Sequence, residues 1–357
     1  MLRRTLTLVV ANIALFITGI VLIELLFGDW LTPAGRIKRL RIPQNEQIIF
    51  DVSELYPTDN PKITYTRDKY GFRGKYPSPA EIDILTIGGS TTDQRYLGDG
   101  QTWQDVLASE FATHGRTVSV VNAGVDGQST YGHLKNFDWW FPSIPDLRVK
   151  WFLFYIGVND FYRDANFRYD RLIKPGSLRN RLEACSALYD LFRVRRGVQQ
   201  ARIYRVPHVR RRLSECQLTD QPLVKDHRGL MESRLAAYAA RLEELVRKAK
   251  AAGGGVIVVT QPVRSARPDG TGLVGDAAQV PYDRVEINGV DQFLMMDLLN
   301  KATLRKAREL GCLAFDAANE IAWEDSDFYD FHHNTPQGAR KLGRYLYQQL
   351  KDINLQE

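Results

Sequence analysis

The sequence predicts an α/β fold: a three-layer α/β/α sandwich around a central, mostly parallel five-stranded sheet, with an N-terminal transmembrane helix ahead of it. Three observations carry this. The chain opens on one long apolar run, its middle and end alternate short apolar runs with helical patterns, and several of those runs end in glycine, asparagine or serine. With 357 residues, 44% hydrophobic and 25% charged, the chain can bury a sizeable core.

From Thr5 to Phe27 the sequence is "TLTLVVANIALFITGIVLIELLF", broken only by Asn12, Glu24 and a few threonines. As a helix it would measure roughly 34 Å, enough to cross a hydrocarbon layer of about 30 Å. A cleaved signal peptide is the competing reading, but its apolar region is usually shorter and no small-residue cleavage site follows. Arg3 and Arg4 flank one end, and Arg36, Lys38, Arg39 and Arg41 lie beyond the other, so charge asymmetry alone leaves the orientation open. This gives a membrane anchor over residues 1–28. A segment at 29–80, rich in Pro, Tyr and charge, reads as a linker of turns and short extended pieces.

The α/β domain is expected over 81–357. Its strands are "IDILTIGG" (82–89), "TVSVVNAG" (117–124), "VKWFLFYIG" (149–157), "GVIVVTQP" (255–262) and "CLAFDA" (312–317). Continuous apolar character, rather than strict alternation, implies cover on both faces. Helical spacing places helices at 102–115, 231–255, 292–311 and 336–352, the first three of which end at glycine. Met295 and Met296 read as core filling. Such alternation means a parallel sheet, with ligands bound beyond the carboxyl ends of its strands.

An arginine-dense insertion at about 163–230 interrupts the rhythm, most visibly in "RVRRGVQQARIYRVPHVRRR". It reads as a solvated surface, or as a contact for an anionic glycan or lipid headgroups. The net charge of +6 is compatible with acidic partners, but no zinc-ligand spacing or RNA-binding aromatic signature points to nucleic acid. Of the three cysteines, Cys312 sits in an apolar run and is expected to be buried; Cys185 and Cys216 could pair in an oxidising compartment.

Four segments can carry chemistry. In "LTIGGSTT" two glycines let the chain turn sharply and present Ser90 at a strand tip, with its backbone N–H free to donate. "NAGVDGQST" (122–130) offers glycines that let a backbone N–H approach a ligand. In "GVND", Asn159 can donate toward a developing negative charge or brace its loop. In "DFYDFHHNTPQG", Asp330 and His333 are spaced to meet on one face of a helical turn, as a carboxylate orienting an imidazole would require. Metal binding is the rival there, because Asp325, Asp327, Asp330, His332 and His333 crowd together, yet no familiar ligand spacing appears. No cofactor is expected, and His332 reads as a pocket-wall or surface residue.

The four segments, in this order, resemble the blocks of the SGNH (GDSL-type) hydrolase family, over roughly residues 82–350. "IGGSTT", "NAGVDGQST", "IGVND" and "DFHHNTPQG" stand for the nucleophile, glycine, G-x-N-D and D-x-x-H blocks. The resemblance implies a flavodoxin-like sheet, Ser90 as nucleophile, His333 as general base and Asp330 as its orienting carboxylate. It also implies an oxyanion hole from the Ser90 N–H, the Gly127 N–H and the Asn159 side chain. The aspartate that precedes the serine in the G-D-S form is Gly89 here, and Asp93 follows three residues after Ser90.

"YGFRG" ahead of "GGSTT" is similar to membrane-anchored bacterial members, which implies a single-pass inner-membrane protein with its catalytic domain in the periplasm. The expected activity is that of a serine esterase removing a small acyl group, acetyl by analogy, from a cell-envelope or exported polysaccharide; a lipid ester is a further substrate class. The same triad would serve a polysaccharide O-acetyltransferase, and the fold alone a non-catalytic glycan-binding or scaffold protein.

Overall fold

The computed structural model describes residues 2–31, 40, 42–162, 170, 178–189, 191–192, 204–206, 208–270 and 272–355. In chain order the helices are α1 (Leu2–Phe27), α2 (Ser90–Asp93), α3 (Trp103–Thr113), α4 (Thr130–Lys135), α5 (Val158–Phe161), α6 (Leu178–Cys185), α7 (His227–Ala251), α8 (Gly289–Glu309), α9 (Ala317–Glu320) and α10 (Pro336–Leu350). The principal strands are β1 (Glu46–Asp51), β2 (Lys62–Arg67), β3 (Ile82–Gly88), β4 (Val120–Asn122) and β5 (Val149–Tyr155). Two-residue strands β6 (Tyr204–Arg205) and β7 (Leu218–Thr219) follow, then β8 (Gly255–Val259). Short pieces β9 (Ala266–Pro268), β10 (Leu273–Asp276), β11 (Val280–Tyr282) and β12 (Val285–Ile287) precede β13 (Leu313–Phe315).

The central sheet has five parallel strands in the order β13-β8-β5-β3-β4. Each matches one expected apolar run, with trimmed ends. Side chains alternate across it, so both faces are buried. Leu85, Ile87, Phe152, Phe154, Val256 and Val258 join a core with Tyr238, Leu242, Met295, Met296 and Leu299 of α7 and α8. Ile84, Leu153, Tyr155, Ile257 and Val259 meet Leu107, Phe111, Leu342 and Leu346 of α3 and α10 on the other face. Burial on both sides explains why the strands read as continuous apolar runs.

Caps fix the helix starts. Thr102 with Asp105, and Asn288 with Asp291, form capping boxes ahead of α3 and α8. Asp226 caps α7, which therefore starts at His227 rather than at the expected 231. Thr335 caps α10 ahead of Pro336. Since β3 lies between β4 and β5, the strand order reverses at β3, and the crevice at the carboxyl ends of β3 and β5 is the switch point where α/β sheets bind ligands.

Two features differ from the expectation. Residues 46–67, within the segment read as linker, form the antiparallel hairpin β1–β2, and β6 from the insertion pairs parallel with β1. Phe50, Val52, Leu55, Tyr56, Ile63 and Tyr65 bury against Tyr96 and Tyr329, so the hairpin is packed onto the α/β body. The cysteines are all free thiols: Cys185 and Cys216 do not pair, and Cys312 is half-buried just ahead of β13. At the other extreme, α1 carries a stretch of mean hydropathy 2.6 with none of it buried.

Candidate functional site

The site begins where β3 ends. A Cβ on Gly88 would fall 2.0 Å from Thr92 Oγ1, and one on Gly89 would fall 2.0 Å from Asn159 Nδ2. A side chain at Gly88 would meet Thr92 and Tyr155 O, and one at Gly89 the Asn159 amide and Gln128 O, so both positions hold glycine. The chain then turns into α2, whose first residue is Ser90; Thr92 and Asp93 donate their N–H groups back to Gly89 O.

Ser90 Oγ lies 2.7 Å from His333 Nε2, and His333 Nδ1 lies 2.7 Å from Asp330 Oδ2. The second carboxylate oxygen of Asp330 accepts the N–H groups of His332 and His333, each at 2.8 Å. The sequence spacing predicted this contact on a helical turn. Instead it forms in a loop closed by pairing of Phe328 with Asn334, just before α10. Tyr329 stacks on the His333 ring at 5.4 Å and an interplanar angle of 6°, which fixes its plane.

Electrostatics divide the two histidines. Burial works to lower the pKa of His333, but the charge of Asp330 and its hydrogen bond outweigh it, so the net direction is up. Burial likewise disfavours ionised Asp330, yet His333 holds its carboxyl well below the usual range. His332 is lowered by burial to about 4 and stays neutral at physiological pH. Its Nε2 sits 3.0 Å from Tyr162 Oη.

The loops after β4 and β5 complete the surroundings. Asn159 Nδ2 donates to Gln128 O at 2.7 Å; an amide nitrogen carries two hydrogens, so one remains for a ligand. Gly127, directly before Gln128, has φ +74°, a left-handed turn suited to glycine. Gly124 has a different job: a Cβ there would lie 2.3 Å from Asp93 N. The neighbouring Asp160 is buried and tied to Thr130 and Arg241, so it fastens the two loops together.

Asp93 explains much of the hairpin. Its carboxylate is fully buried, paired with Arg67 of β2 and hydrogen-bonded by Tyr65 Oη at 3.0 Å. Burial would raise the Asp93 pKa, but Arg67, Arg95 and Arg73 hold it below the ordinary value. Arg73 donates to the backbone oxygens of Asp93 and Gln94 at 2.8 and 2.9 Å. The turn bearing Ser90 is thus clamped from the segment that looked like a linker.

Sequence reasoning missed two further neighbours. His208, from the insertion, packs edge-on to His333 with ring centres 4.8 Å apart, and its Nδ1 lies 3.8 Å from Asp330 Oδ2. No local pattern marks it, since it lies within an arginine run. Gln261, just past β8, donates to Thr91 Oγ1 at 2.7 Å and accepts Val158 N–H at 2.7 Å, linking the serine turn to the Asn159 loop. Two of the arginines beside His208 are engaged, Arg210 with Glu215 and Arg211 with Asp276. The arginines at 193–203 lie outside the described residues.

The acidic crowd near His333 is dispersed among cations. Asp325 pairs with Arg264, and Asp327 with Lys341. Among the described residues the group close enough to share an ion is His208, Asp330 and His333, whose ligand atoms lie within 4.8 Å of one another. Two of these are already bonded in the Ser90 relay. One cavity of about 1220 Å³ lies along β4 and α3 and is lined by neither Ser90, Asn159 nor His333.

No curated protein matches this chain. Among solved structures it is similar to Axe2, an acetylxylan esterase from Geobacillus stearothermophilus, with 17% identity, 74% of this chain and 92% of the other covered, and a TM-score of 0.40. A putative lipolytic protein of the G-D-S-L family from Desulfitobacterium hafniense gives 13% identity, 75% and 98% coverage and a TM-score of 0.40. TesA gives 13% identity, 75% and 97% coverage and a TM-score of 0.42. The model of the GDSL-like lipase/acylhydrolase family matches residues 86–341, from the end of β3 through the loops around Ser90 and Asn159 to the Asp330–His333 loop. The chain therefore belongs to the GDSL-like lipase/acylhydrolase (SGNH) family and is a hydrolase of ester bonds.

Proposed function

We propose that Ser90, His333 and Asp330 form the catalytic triad of a serine esterase, with an oxyanion hole made by the N–H groups of Ser90 and Gly127 and the Asn159 amide. The observation that carries this reading is the continuous chain of 2.7 Å contacts from Ser90 Oγ through His333 to Asp330. His333 Nε2 takes the Ser90 proton as Oγ attacks the ester carbonyl, and the oxyanion is met by the three donors. The protonated imidazole, stabilised by Asp330, then returns its proton to the leaving alcohol. Water attacks the acyl-enzyme with His333 again as base, releasing the acid and restoring Ser90.

A small acyl group, acetyl, on a cell-envelope or exported polysaccharide is the substrate class this reading favours. We read α1 as a single-pass membrane anchor whose catalytic domain faces the periplasm; its length, mean hydropathy of 2.6 and lack of burial support the span. The experiment is hydrolysis of p-nitrophenyl acetate by the detergent-solubilised full chain and its Ser90→Ala variant. The variant is expected to lose at least about 10³-fold in kcat, because the attacking atom is gone. Unchanged turnover would remove Ser90 from the mechanism.

A further inference from the structure

Glu24 is the one carboxylate in the apolar run of α1, three residues from the end of the helix and so about 4.5 Å from it along the axis. A charge this close to hydrocarbon is costly and normally has an assigned partner. Here the partners come from the insertion. The Glu24 carboxylate accepts hydrogen bonds from Ser186 Oγ at 2.7 Å, Ala187 N at 3.1 Å and Leu188 N at 3.2 Å, and from Trp30 Nε1 at 2.7 Å. Ser186 Oγ in turn accepts Tyr189 N–H at 3.0 Å, capping the helical turn that begins at Ala187. Asp29 N–H donates to Cys185 O at 2.8 Å, so both strands of the contact are tied.

The segment clasped in this way carries apolar side chains on its surface. Leu178 and Leu182 share one face of α6, and with Leu191 and Phe192 they are exposed, Leu178 by 72% and Phe192 by 63%. Arg179 and Arg181 are exposed between them. Exposed apolar residues interleaved with arginine, fixed at the exit end of an apolar helix beside a tryptophan, match the chemistry of the membrane–water boundary. The Glu24 clasp holds these side chains next to the end of α1, and the arginines complement anionic headgroups.

We infer that residues 178–189, with 191–192, form an interfacial segment, strapped to the anchor by Glu24, that lies in the headgroup region of an anionic bilayer. The inference rests on reading α1 as a membrane span. It gives the insertion a role: fastening the catalytic body close to the lipid surface.

The test uses the full chain in phosphatidylglycerol-containing vesicles, with all three native cysteines replaced by serine and an environment-sensitive fluorophore on a single new cysteine. Phe192→Cys reports on the segment, Leu15→Cys on the middle of α1 and Lys301→Cys on an exposed position of the body; each must retain p-nitrophenyl acetate hydrolysis. At 192 the emission is expected to be blue-shifted relative to 301 and quenched by a lipid carrying its quencher near the headgroup. Adding Glu24→Ala is expected to reduce that quenching at least twofold without altering hydrolysis. Lipid quenching at 15 with water-like emission at 192 would overturn the interfacial segment while leaving the anchor standing. Water-like emission at both positions would overturn the anchor reading and the segment together. Unchanged quenching at 192 in Glu24→Ala would overturn the strap.

Discussion

Ser90 and His333 stand 243 positions apart in the chain, yet their side chains meet at 2.7 Å. Each belongs to a contiguous block whose local chemistry could be read directly: glycines before a hydroxyl, an asparagine after a buried strand, a carboxylate three residues from an imidazole. His208 and Gln261 could not be read that way, because their meaning comes only from the loops they touch. At this scale the pH response follows from the His333–Asp330 pair. In the proposed mechanism His333 must be neutral to accept the serine proton, and Asp330 favours its protonated form, moving its pKa above the ordinary 6.5. Activity should therefore fall as pH drops through a midpoint above 6.5 in a kcat/KM profile. Asp330→Asn should move that midpoint down and lower kcat by roughly 10⁴-fold. A profile unmoved by this substitution would break the link between the two residues. Asn159→Ala should cost about 10²–10³-fold in kcat with little change in KM, as expected of a donor that acts on the oxyanion. A loss confined to KM would make Asn159 a binding group instead.

Elements were legible where one physical rule dominated. The five sheet strands announce themselves because both faces are buried, so no polar residue needs to interrupt them. The β1–β2 hairpin obeys a different rule. In "KITYTR" Ile63, Tyr65 and Arg67 all point inward, and a buried arginine defeats any search for apolar alternation. Arg67 is inside because Asp93 is inside, a pairing that spans 26 positions and has no local signal. Removing one partner of such a buried pair leaves an uncompensated charge, at a cost of about 3–5 kcal/mol. Asp93→Ala should lower the unfolding free energy of the solubilised chain by that order, measured by urea titration, and reduce kcat as the serine turn loosens. A change below about 1 kcal/mol would show that the pair is not what holds the hairpin down.

Over the whole molecule, the strand order places the reversal at β3, so the loops after β3, β4 and β5 gather at one edge of the sheet, and the loop before α10 arrives from beyond β13. That convergence turns separate short blocks into one site, and order along the chain was enough to anticipate it. The insertion was not legible in the same way. Its arginines suggested a solvated surface or a contact for an anionic glycan or lipid headgroups; the described part also places His208 against His333, pairs Arg210 and Arg211 with carboxylates, and engages Glu24 of α1 through Ser186. The central claim is that Ser90 is an activated nucleophile, and covalent capture tests it most directly. A fluorophosphonate incubated with the full chain should add one phosphonyl group, which peptide mapping by mass spectrometry locates on Ser90, and His333→Ala should abolish the labelling. Labelling at another residue, or undiminished labelling of Ser90 without His333, would contradict the account.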